Sequence, residues 1–194
     1  MRYLLFLPFL FLSCKPNWRL DPTRVKEELQ VKAAENTERH IKVETRLGDF
    51  ELELDDRTPL HSVSFIRLVK MGYFKDRYFY RNVYEIGIQG GGEYFDRLNY
   101  LVPAEYREEL RPIRGSIAMA RYDEGNPLQS SSPTEFFIVT DTEQAARFYR
   151  KYVVFGKVTK GMDVVDKIAH IPTDGGDLPT QTILIESVTV LPNK

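Results

Sequence analysis

Cysteine is nearly absent from this chain, which has only Cys14 and therefore no pair that could form an intrachain disulfide. Histidine is scarce as well. His40, His61 and His170 are far apart, and none has the spacing of a metal-binding motif. We therefore expect neither a disulfide framework nor a metal site, and no motif in the sequence calls for a cofactor.

An excess of one charge is also missing. The chain has 27 Lys and Arg residues against 28 Asp and Glu residues, which gives a formal net charge of -1. No Lys/Arg-rich run or RNA-binding signature offsets this balance, so nucleic acid is not expected as a partner. The length of 194 residues, with 42% hydrophobic and 28% charged residues, is typical of one globular domain with a real core.

The apolar run at the N-terminus, from Tyr3 to Leu12, is about half as long as a bilayer-spanning helix requires. It follows a cation, Arg2, and is typical of a secretory signal. The residues before Cys14 resemble the lipobox of bacterial lipoproteins, although Phe11 stands where leucine is usual. We interpret residues 1–13 as a signal peptide and Cys14 as the lipidated residue of a membrane-anchored, periplasmic or surface-facing envelope protein. The alternative is that Cys14 is discarded with the signal.

Residues 14–40 are mostly polar and contain few large apolar side chains. Asp21 followed by Pro22 is typical of a helix start, and Val25 and Leu29 form a thin apolar stripe. We predict a short exposed helix within a tether. A helix that binds a partner is the alternative.

From residue 41 onward the pattern changes to that of a β-rich domain, 41–194. Alternating apolar residues in IKVETRLGDFELEL predict a hairpin. Helices are predicted after Pro59 as far as Gly72, and over residues 142–151. Further strands are predicted at 78–83, 86–89, 116–120, 135–140, 153–158 and 183–191. About eight strands joined mostly by loops predict a mainly β fold: a closed antiparallel eight-stranded barrel capped by two helices.

One arginine stands in an unusual place. Residues 79–91 read FYRNVYEIGIQGG, so Arg81 follows two aromatic residues in an apolar stretch that ends at Gln89 and two glycines. This pattern favours a half-buried strand that points a cation into a concave wall. The alternative is an arginine whose stem simply lies along a strand edge.

Four segments, in this order along the chain, resemble one known family. They are residues 79–91, RGSIAMA at 114–120, EFFIVT at 135–140 and YVVFGKVTKGMDVVDKI at 152–168. Together they resemble the cyclophilin family of peptidyl-prolyl isomerases, over about residues 41–191. The resemblance implies a cyclophilin-like barrel that isomerises proline-containing polypeptides, which for an exported protein would be polypeptides of the cell envelope.

The chemistry of such an enzyme accounts for an arginine without a nucleophile beside it. Rotation about an X-Pro bond crosses a barrier of about 18–20 kcal/mol, because amide resonance resists twisting. A guanidinium aimed at the prolyl nitrogen can donate to the lone pair that becomes localised only as the amide twists. The resemblance identifies Arg81 as this catalytic residue.

The resemblance also implies a set of substrate-binding residues: Gln89, Ile86, Met119, Ala120, Glu135, Phe137, Phe148 and Tyr152. Several positions depart from the family's pattern. Its pocket-lining phenylalanine and methionine fall on Ile86 and Gly87, which predicts a shallower or wider pocket. Its second groove glutamine falls on Glu135, and its tryptophan or phenylalanine falls on Arg147.

Glu135 leaves the role of the site open. A carboxylate that reached Arg81 could hold the guanidinium in place, or it could occupy the donors that the twisting amide needs. The leading hypothesis is therefore an isomerase with reduced activity. The alternatives are a peptide-binding lipoprotein of the same fold without useful catalysis, and a scaffold that makes contacts through the loop at 124–133.

Overall fold

The structure, a computed structural model, describes residues 19–92 and 98–193. The predicted signal peptide and Cys14 lie outside these residues. The described part contains four α-helices: α1 (Val25–Glu35), α2 (Pro59–Lys70), α3 (Thr142–Ala145) and α4 (Met162–Ala169). Its nine strands are β1 (His40–Thr45), β2 (Gly48–Leu54), β3 (Tyr78–Val83), β4 (Gly87–Gly91), β5 (Ser116–Met119), β6 (Glu135–Val139), β7 (Val153–Lys160), β8 (Ile183–Leu184) and β9 (Ser187–Leu191).

All nine strands form one antiparallel sheet in the order β8-β3-β4-β6-β5-β7-β2-β1-β9, which curls into a half-barrel. The mainly β fold is thus confirmed, but the prediction of eight strands in a closed barrel is wrong. The predicted single strand at 183–191 divides, because Ile185 and Glu186 bond to Arg77 and Glu44 at opposite edges of the sheet. β8 therefore pairs with β3, and β9 pairs with β1.

The helices also differ from the prediction in number and length. α2 follows the expected bounds, whereas the helix predicted at 142–151 ends early, as α3 and a 3-10 turn at Ala146–Phe148. The additional helix α4 buries Val164, Val165 and Ile168 in the core. Within residues 19–92 and 98–193, no helix has the length and apolar character needed to cross a membrane.

Helix α1 is not the exposed helix that the sequence predicted, because one of its faces is buried against α2. Val25 and Leu29 belong to a second apolar cluster with Leu60 and Val63 of α2. Leu29 is 0% exposed. Burial of these residues removes apolar surface from water, and this stabilises the fold by about 25 cal/mol per Å².

A buried polar network fixes the N-terminus of α2. The Glu105 carboxylate accepts hydrogen bonds from the backbone N–H groups of Leu60 (3.1 Å) and His61 (3.0 Å). The His61 ring lies between Glu105 Oε2, 2.7 Å from Nδ1, and Ser131 Oγ, 2.9 Å from Nε2. The carboxylate at this helix end satisfies donors that have no partner within the helix and also interacts with the helix dipole. It ties the chain around residues 105 and 131 to the core.

Candidate active site

A cavity of about 140 Å³ opens on the face of the sheet opposite the main core. Ten residues line it: Arg81, Val83, Ile86, Gly87, Gln89, Ala120, Arg121, Phe137, Phe148 and Tyr152. The structure thus brings together seven of the nine positions that the sequence assigned to catalysis and substrate binding. Met119 and Glu135 are the two that do not line the cavity.

The pairing of three adjacent strands places the central side chains of the site. In the β3–β4 pair Arg81 lies opposite Gln89, and in the β4–β6 pair Gln89 lies opposite Phe137. Directly opposed residues of antiparallel strands share a face. The sheet register therefore puts the cation, the amide and the aromatic ring side by side.

The apolar wall of the cavity consists of three aromatic rings. Phe137, Phe148 and Tyr152 pack edge to face, with centroid separations of 5.8, 5.2 and 5.2 Å. Such contacts each contribute about 0.5–1.5 kcal/mol beyond area burial, so the rings hold one another in position. Arg147, which stands where the resembling family has tryptophan or phenylalanine, lies with its guanidinium carbon 5.3 Å from the Phe148 centroid. A rigid apolar surface of this kind suits a small saturated ring.

The glycine at position 87 has a local structural cause. A Cβ atom there would lie 2.1 Å from the carbonyl oxygen of Ile138 on the neighbouring strand β6. Since real Cβ atoms do not approach a backbone oxygen so closely, this backbone has no room for a side chain at Gly87. The wall beside Ile86 consequently ends at the peptide backbone.

Arg81 pairs with a carboxylate that the sequence analysis missed. Its Nε and Nη2 lie 3.2 and 3.0 Å from the same oxygen, Asp177 Oδ2. The Arg81 side chain is 49% exposed and that of Asp177 is 36% exposed. The Asp177 backbone is also anchored, because its carbonyl accepts a hydrogen bond of 2.9 Å from Asn82 N–H.

A compact turn presents Asp177 to the site. Asp174 Oδ1 accepts hydrogen bonds from Gly176 N–H (2.9 Å) and Leu178 N–H (3.0 Å), and Asp174 N–H donates to the Leu178 carbonyl. Asp177 itself has a φ of 66°, in the left-handed region that Asp tolerates better than most residues. Nothing local to Arg81 in the sequence indicated this partner.

Glu135 is buried instead of lying in the groove. It is 4% exposed and accepts a hydrogen bond from the Tyr122 hydroxyl. The carboxylate that pairs with Arg81 is that of Asp177, so the open possibility of a Glu135–Arg81 pair is not what the structure contains. Burial raises the pKa of the nearby Tyr80 hydroxyl, and the charge of Glu135 acts in the same direction.

Tyr80 in turn orients the glutamine of the cavity. Gln89 Nε2 donates a hydrogen bond of 2.8 Å to the Tyr80 hydroxyl oxygen. With its pKa raised, that hydroxyl stays protonated and neutral across the physiological range. The fixed amide nitrogen leaves the Gln89 carbonyl oxygen as the acceptor that can meet a peptide N–H.

Met119 lies next to the cavity lining without being part of it. Its side chain is 0% exposed and belongs to the main core, with Ile117 and Phe136. Side chains alternate along β5, so Ala118 and the following Ala120 face the aromatic wall while Met119 faces the other way. Met119 therefore lies on the strand that carries Ala120, but its side chain is not part of the cavity lining.

Arg121 is the second residue that the sequence analysis missed. It lies directly after Ala120, and its side chain lines the cavity although it is only 11% exposed. A basic residue immediately after the AMA of RGSIAMA was the available signal.

In residues 19–92 and 98–193, no group of three or more His, Cys, Asp or Glu side chains is placed to hold a metal ion.

Comparisons with known proteins agree with this architecture. Residues 40–190 match the family described as cyclophilin type peptidyl-prolyl cis-trans isomerase/CLD. A peptidyl-prolyl cis-trans isomerase of Acinetobacter baylyi is 36% identical over 162 residues, which cover 77% of this chain and 84% of that protein. Peptidyl-prolyl cis-trans isomerase A of Dickeya dadantii is 34% identical over 170 residues, which cover 81% and 87%.

Solved structures give the same result for the fold. The crystal structure of a cyclophilin type isomerase of Cryptosporidium parvum has a TM-score of 0.71 and 24% identity, and the match covers 81% of this chain and 99% of that one. A second structure of that protein, in the presence of the dipeptide Ala-Pro, has a TM-score of 0.67 and 25% identity, with 79% of this chain covered. With residues 40–190 matching the family and the curled sheet in common, this chain belongs to the cyclophilin-type peptidyl-prolyl cis-trans isomerases.

Proposed function

We propose that this chain catalyses rotation about X-Pro bonds of exported polypeptides, and that Arg81 is the catalytic residue. The observation that carries the proposal is the convergence of Arg81, Gln89 and the Phe137 ring on one cavity. A cavity of about 140 Å³ is smaller than the roughly 300–1,000 Å³ of drug-sized ligand sites, and it suits a single residue.

The bound substrate needs a fixed ring and a free peptide bond. The apolar wall of Phe137, Phe148 and Tyr152 would hold the prolyl ring, and the Gln89 carbonyl oxygen would hold the adjacent backbone. The amide can then twist about its C–N bond. Its nitrogen gains a localised lone pair as resonance is lost, so a donor placed there lowers the barrier more than it stabilises the ground state.

Arg81 has donors left for this role. Its contacts with Asp177 engage Nε and one N–H of Nη2, which leaves three of the five guanidinium N–H groups. A pre-oriented donor of this kind contributes roughly 10²–10³ in rate in enzymes where one has been removed. We assign the rate enhancement mainly to this hydrogen bond.

The contact with Asp177 also favours a second candidate, a peptide-binding protein of the same fold with little catalysis. If the carboxylate draws Arg81 away from the prolyl nitrogen, peptides would bind to the aromatic wall without faster isomerisation. This candidate predicts peptide affinity without turnover.

Two-dimensional exchange NMR on a short Ala-Pro peptide separates the two candidates. The purified full-length chain should accelerate cis–trans exchange, and Arg81→Ala should lower kcat/KM by about 100-fold or more. Arg24→Ala is the control, because Arg24 is an exposed arginine that pairs with Glu27 on α1. Peptide resonances that shift on titration without any acceleration by the wild type would exclude catalysis and favour the binding protein.

We also propose that the protein is exported and attached to a membrane through a lipid on Cys14. The support is the N-terminal sequence: a cation, a short apolar run and a lipobox-like segment before the cysteine. Acyl chains contribute about 0.8 kcal/mol per buried methylene, so several chains on one residue anchor a protein firmly. Proline-containing polypeptides of the cell envelope would then be the substrates.

Expression in a bacterial host with a radiolabelled fatty acid tests the anchor. The wild type should carry label and sediment with membranes, whereas Cys14→Ser should carry none and should leave the membrane fraction. Cys14→Ser protein that sediments as completely as the wild type would contradict the lipid anchor.

A further inference from the structure

The cavity contains a second, nearly buried cation, Arg121. The proposed reaction requires only one cation, Arg81. Its side chain lines the same cavity as Arg81 and is 11% exposed. Removing a charge from water is costly unless the charge is paired, so a buried arginine in a binding cavity requires an explanation.

Three groups hold the Arg121 guanidinium in one orientation. Its Nε donates to Asp123 Oδ1 (3.0 Å) and its Nη1 donates to the Tyr106 hydroxyl (2.9 Å). Its guanidinium carbon lies 5.5 Å from the centroid of the Tyr152 ring, within the range of a cation–π contact. Tyr106 is itself fixed, because its hydroxyl lies 3.0 Å from the Lys151 carbonyl oxygen.

These contacts leave part of the guanidinium unused. A guanidinium has five N–H groups in a planar fork, and the two hydrogen bonds of Arg121 engage two of them. Among the described residues, the one fully buried side-chain N or O atom without a partner is Asn82 Oδ1. Arg121 Nη2, which makes neither of these hydrogen bonds, is therefore not sealed inside the protein, and the Arg121 side chain is part of the cavity lining.

The charge of Arg121 is only weakly compensated by the protein. Among the described residues, Asp123 is its one carboxylate partner, and the side chain of Asp123 is 79% exposed, so solvent screens that pair. The other acidic groups at the site have different partners: Asp177 pairs with Arg81, and Glu135 accepts from Tyr122. A fixed fork with free donors and an incompletely balanced charge is suited to a carboxylate.

We propose that Arg121 selects substrates that carry a glutamate or aspartate beside the proline, by donating to the carboxylate of that side chain. This inference rests on the proposed isomerase function and adds a substrate class to it. The two arginines have different roles. Arg81, positioned by Asp177, donates to the prolyl nitrogen, and Arg121 binds the side chain of the neighbouring residue. A lysine or arginine at the same substrate position meets a like charge and is disfavoured.

The test compares peptides that differ only beside the proline, with Ala, Glu or Lys before it and Ala or Glu after it. For the wild-type full-length chain, exchange NMR should give kcat/KM about tenfold higher for an acidic peptide than for Ala-Pro, mainly through KM, and lower for Lys-Pro. Arg121→Gln should reduce the ratio of acidic peptide to Ala-Pro to about one. Arg121→Lys should retain part of the ratio, since it keeps the charge but not the fork.

Arg147→Gln is the matched control. This substitution removes a positive charge next to Phe148 and leaves the guanidinium of Arg121 in place. The ratio of acidic peptide to Ala-Pro should therefore not change. A wild-type ratio near one, or an undiminished ratio in Arg121→Gln, would overturn the proposal. If Arg121→Gln fails to fold, Arg121→Lys provides the test, and an undiminished ratio of acidic peptide to Ala-Pro in that variant would overturn the proposal.

The same peptides separate this inference from the proposed function. A wild type that accelerates no peptide contradicts isomerase activity, and NMR titration then gives the dissociation constants of Ala-Pro and Glu-Pro. A tighter Glu-Pro complex that Arg121→Gln abolishes would still support carboxylate recognition. Equal affinities would refute it.

Discussion

Asp177 should position Arg81 for catalysis, and Asp177→Asn measures that role. The asparagine keeps the shape of the side chain and one neutral acceptor but removes the charge that holds Nε and Nη2 of Arg81. Because the two side chains are 49% and 36% exposed, the pair contributes about 0–1 kcal/mol to holding the arginine. Since 1.4 kcal/mol corresponds to about tenfold, the upper end of this range predicts that kcat/KM falls about fivefold.

The loss should appear in kcat more than in KM, because the hydrogen bond from Arg81 strengthens only as the amide twists. Exchange NMR on Ala-Pro at several peptide concentrations separates the two constants. Asp163→Asn is the control, since it removes the same charge from an exposed pair with Lys167 on α4. Asp177→Asn with unchanged kcat would refute the positioning role. A faster variant would show that Asp177 withholds the donors of Arg81 from the substrate.

Three further predictions concern stability, measured by thermal unfolding. Leu29→Ala should lower the free energy of unfolding by about 2–5 kcal/mol, because Leu29 is fully buried against α2. Val31→Ala, on the exposed side of the same helix, should lower it by less than about 0.5 kcal/mol. Equal losses would contradict the packing of α1 on α2. Glu105→Ala should cost about 3–5 kcal/mol, because it removes the acceptor of two backbone N–H groups and of a buried ring, and a near-neutral result would refute this. Hydrogen bonds from Arg57 lower the pKa of Asp55, so the stability that the ionised carboxylate contributes is present above its ordinary pKa and is lost as pH falls through the lowered value. Asp55→Asn should therefore lose less stability than the wild type as pH falls below about 4, and an unchanged loss of stability in acid would contradict this.

Much of the site could be predicted from the sequence because it lies on regular strands. Arg81, Gln89 and Phe137 are in segments that the sequence predicted as strands, and antiparallel register then aligns them on one face. Tyr152 begins a segment with the family's order of residues, and Phe148 lies four positions before it. Such positions depend on local pattern, which a sequence carries directly.

The partners of the site could not be predicted because they come from loops. Asp177 reaches Arg81 from 96 positions away along the chain, through a turn that Asp174 shapes. The anchoring of Arg121 by Tyr106 likewise depends on the position of an irregular segment of the chain. For Met119, the family's order of residues indicated the strand beside the groove, while strand alternation, which turns its side chain into the core, decides which atoms face the cavity.

The errors in the fold have equally specific causes. The apolar residues of 183–191 read as one strand, but the chain crosses between the two edges of the sheet at Ile185 and Glu186. Helix α4 was missed although Val164, Val165 and Ile168 have helical spacing, because it has only eight residues. It follows Gly161, whose left-handed φ of 76° makes the abrupt change from strand to helix.

The central claim is that Arg81 supplies the catalytic hydrogen bond, and Arg81→Lys tests it most directly. Lysine keeps the positive charge and most of the stem but replaces the planar fork with a single ammonium. The exchange rate of an Ala-Pro peptide with equal concentrations of wild type and Arg81→Lys is the measurement. We predict fast exchange with the wild type and at least a tenfold loss in kcat/KM with a folded Arg81→Lys. Equal rates for the two proteins would contradict the claim.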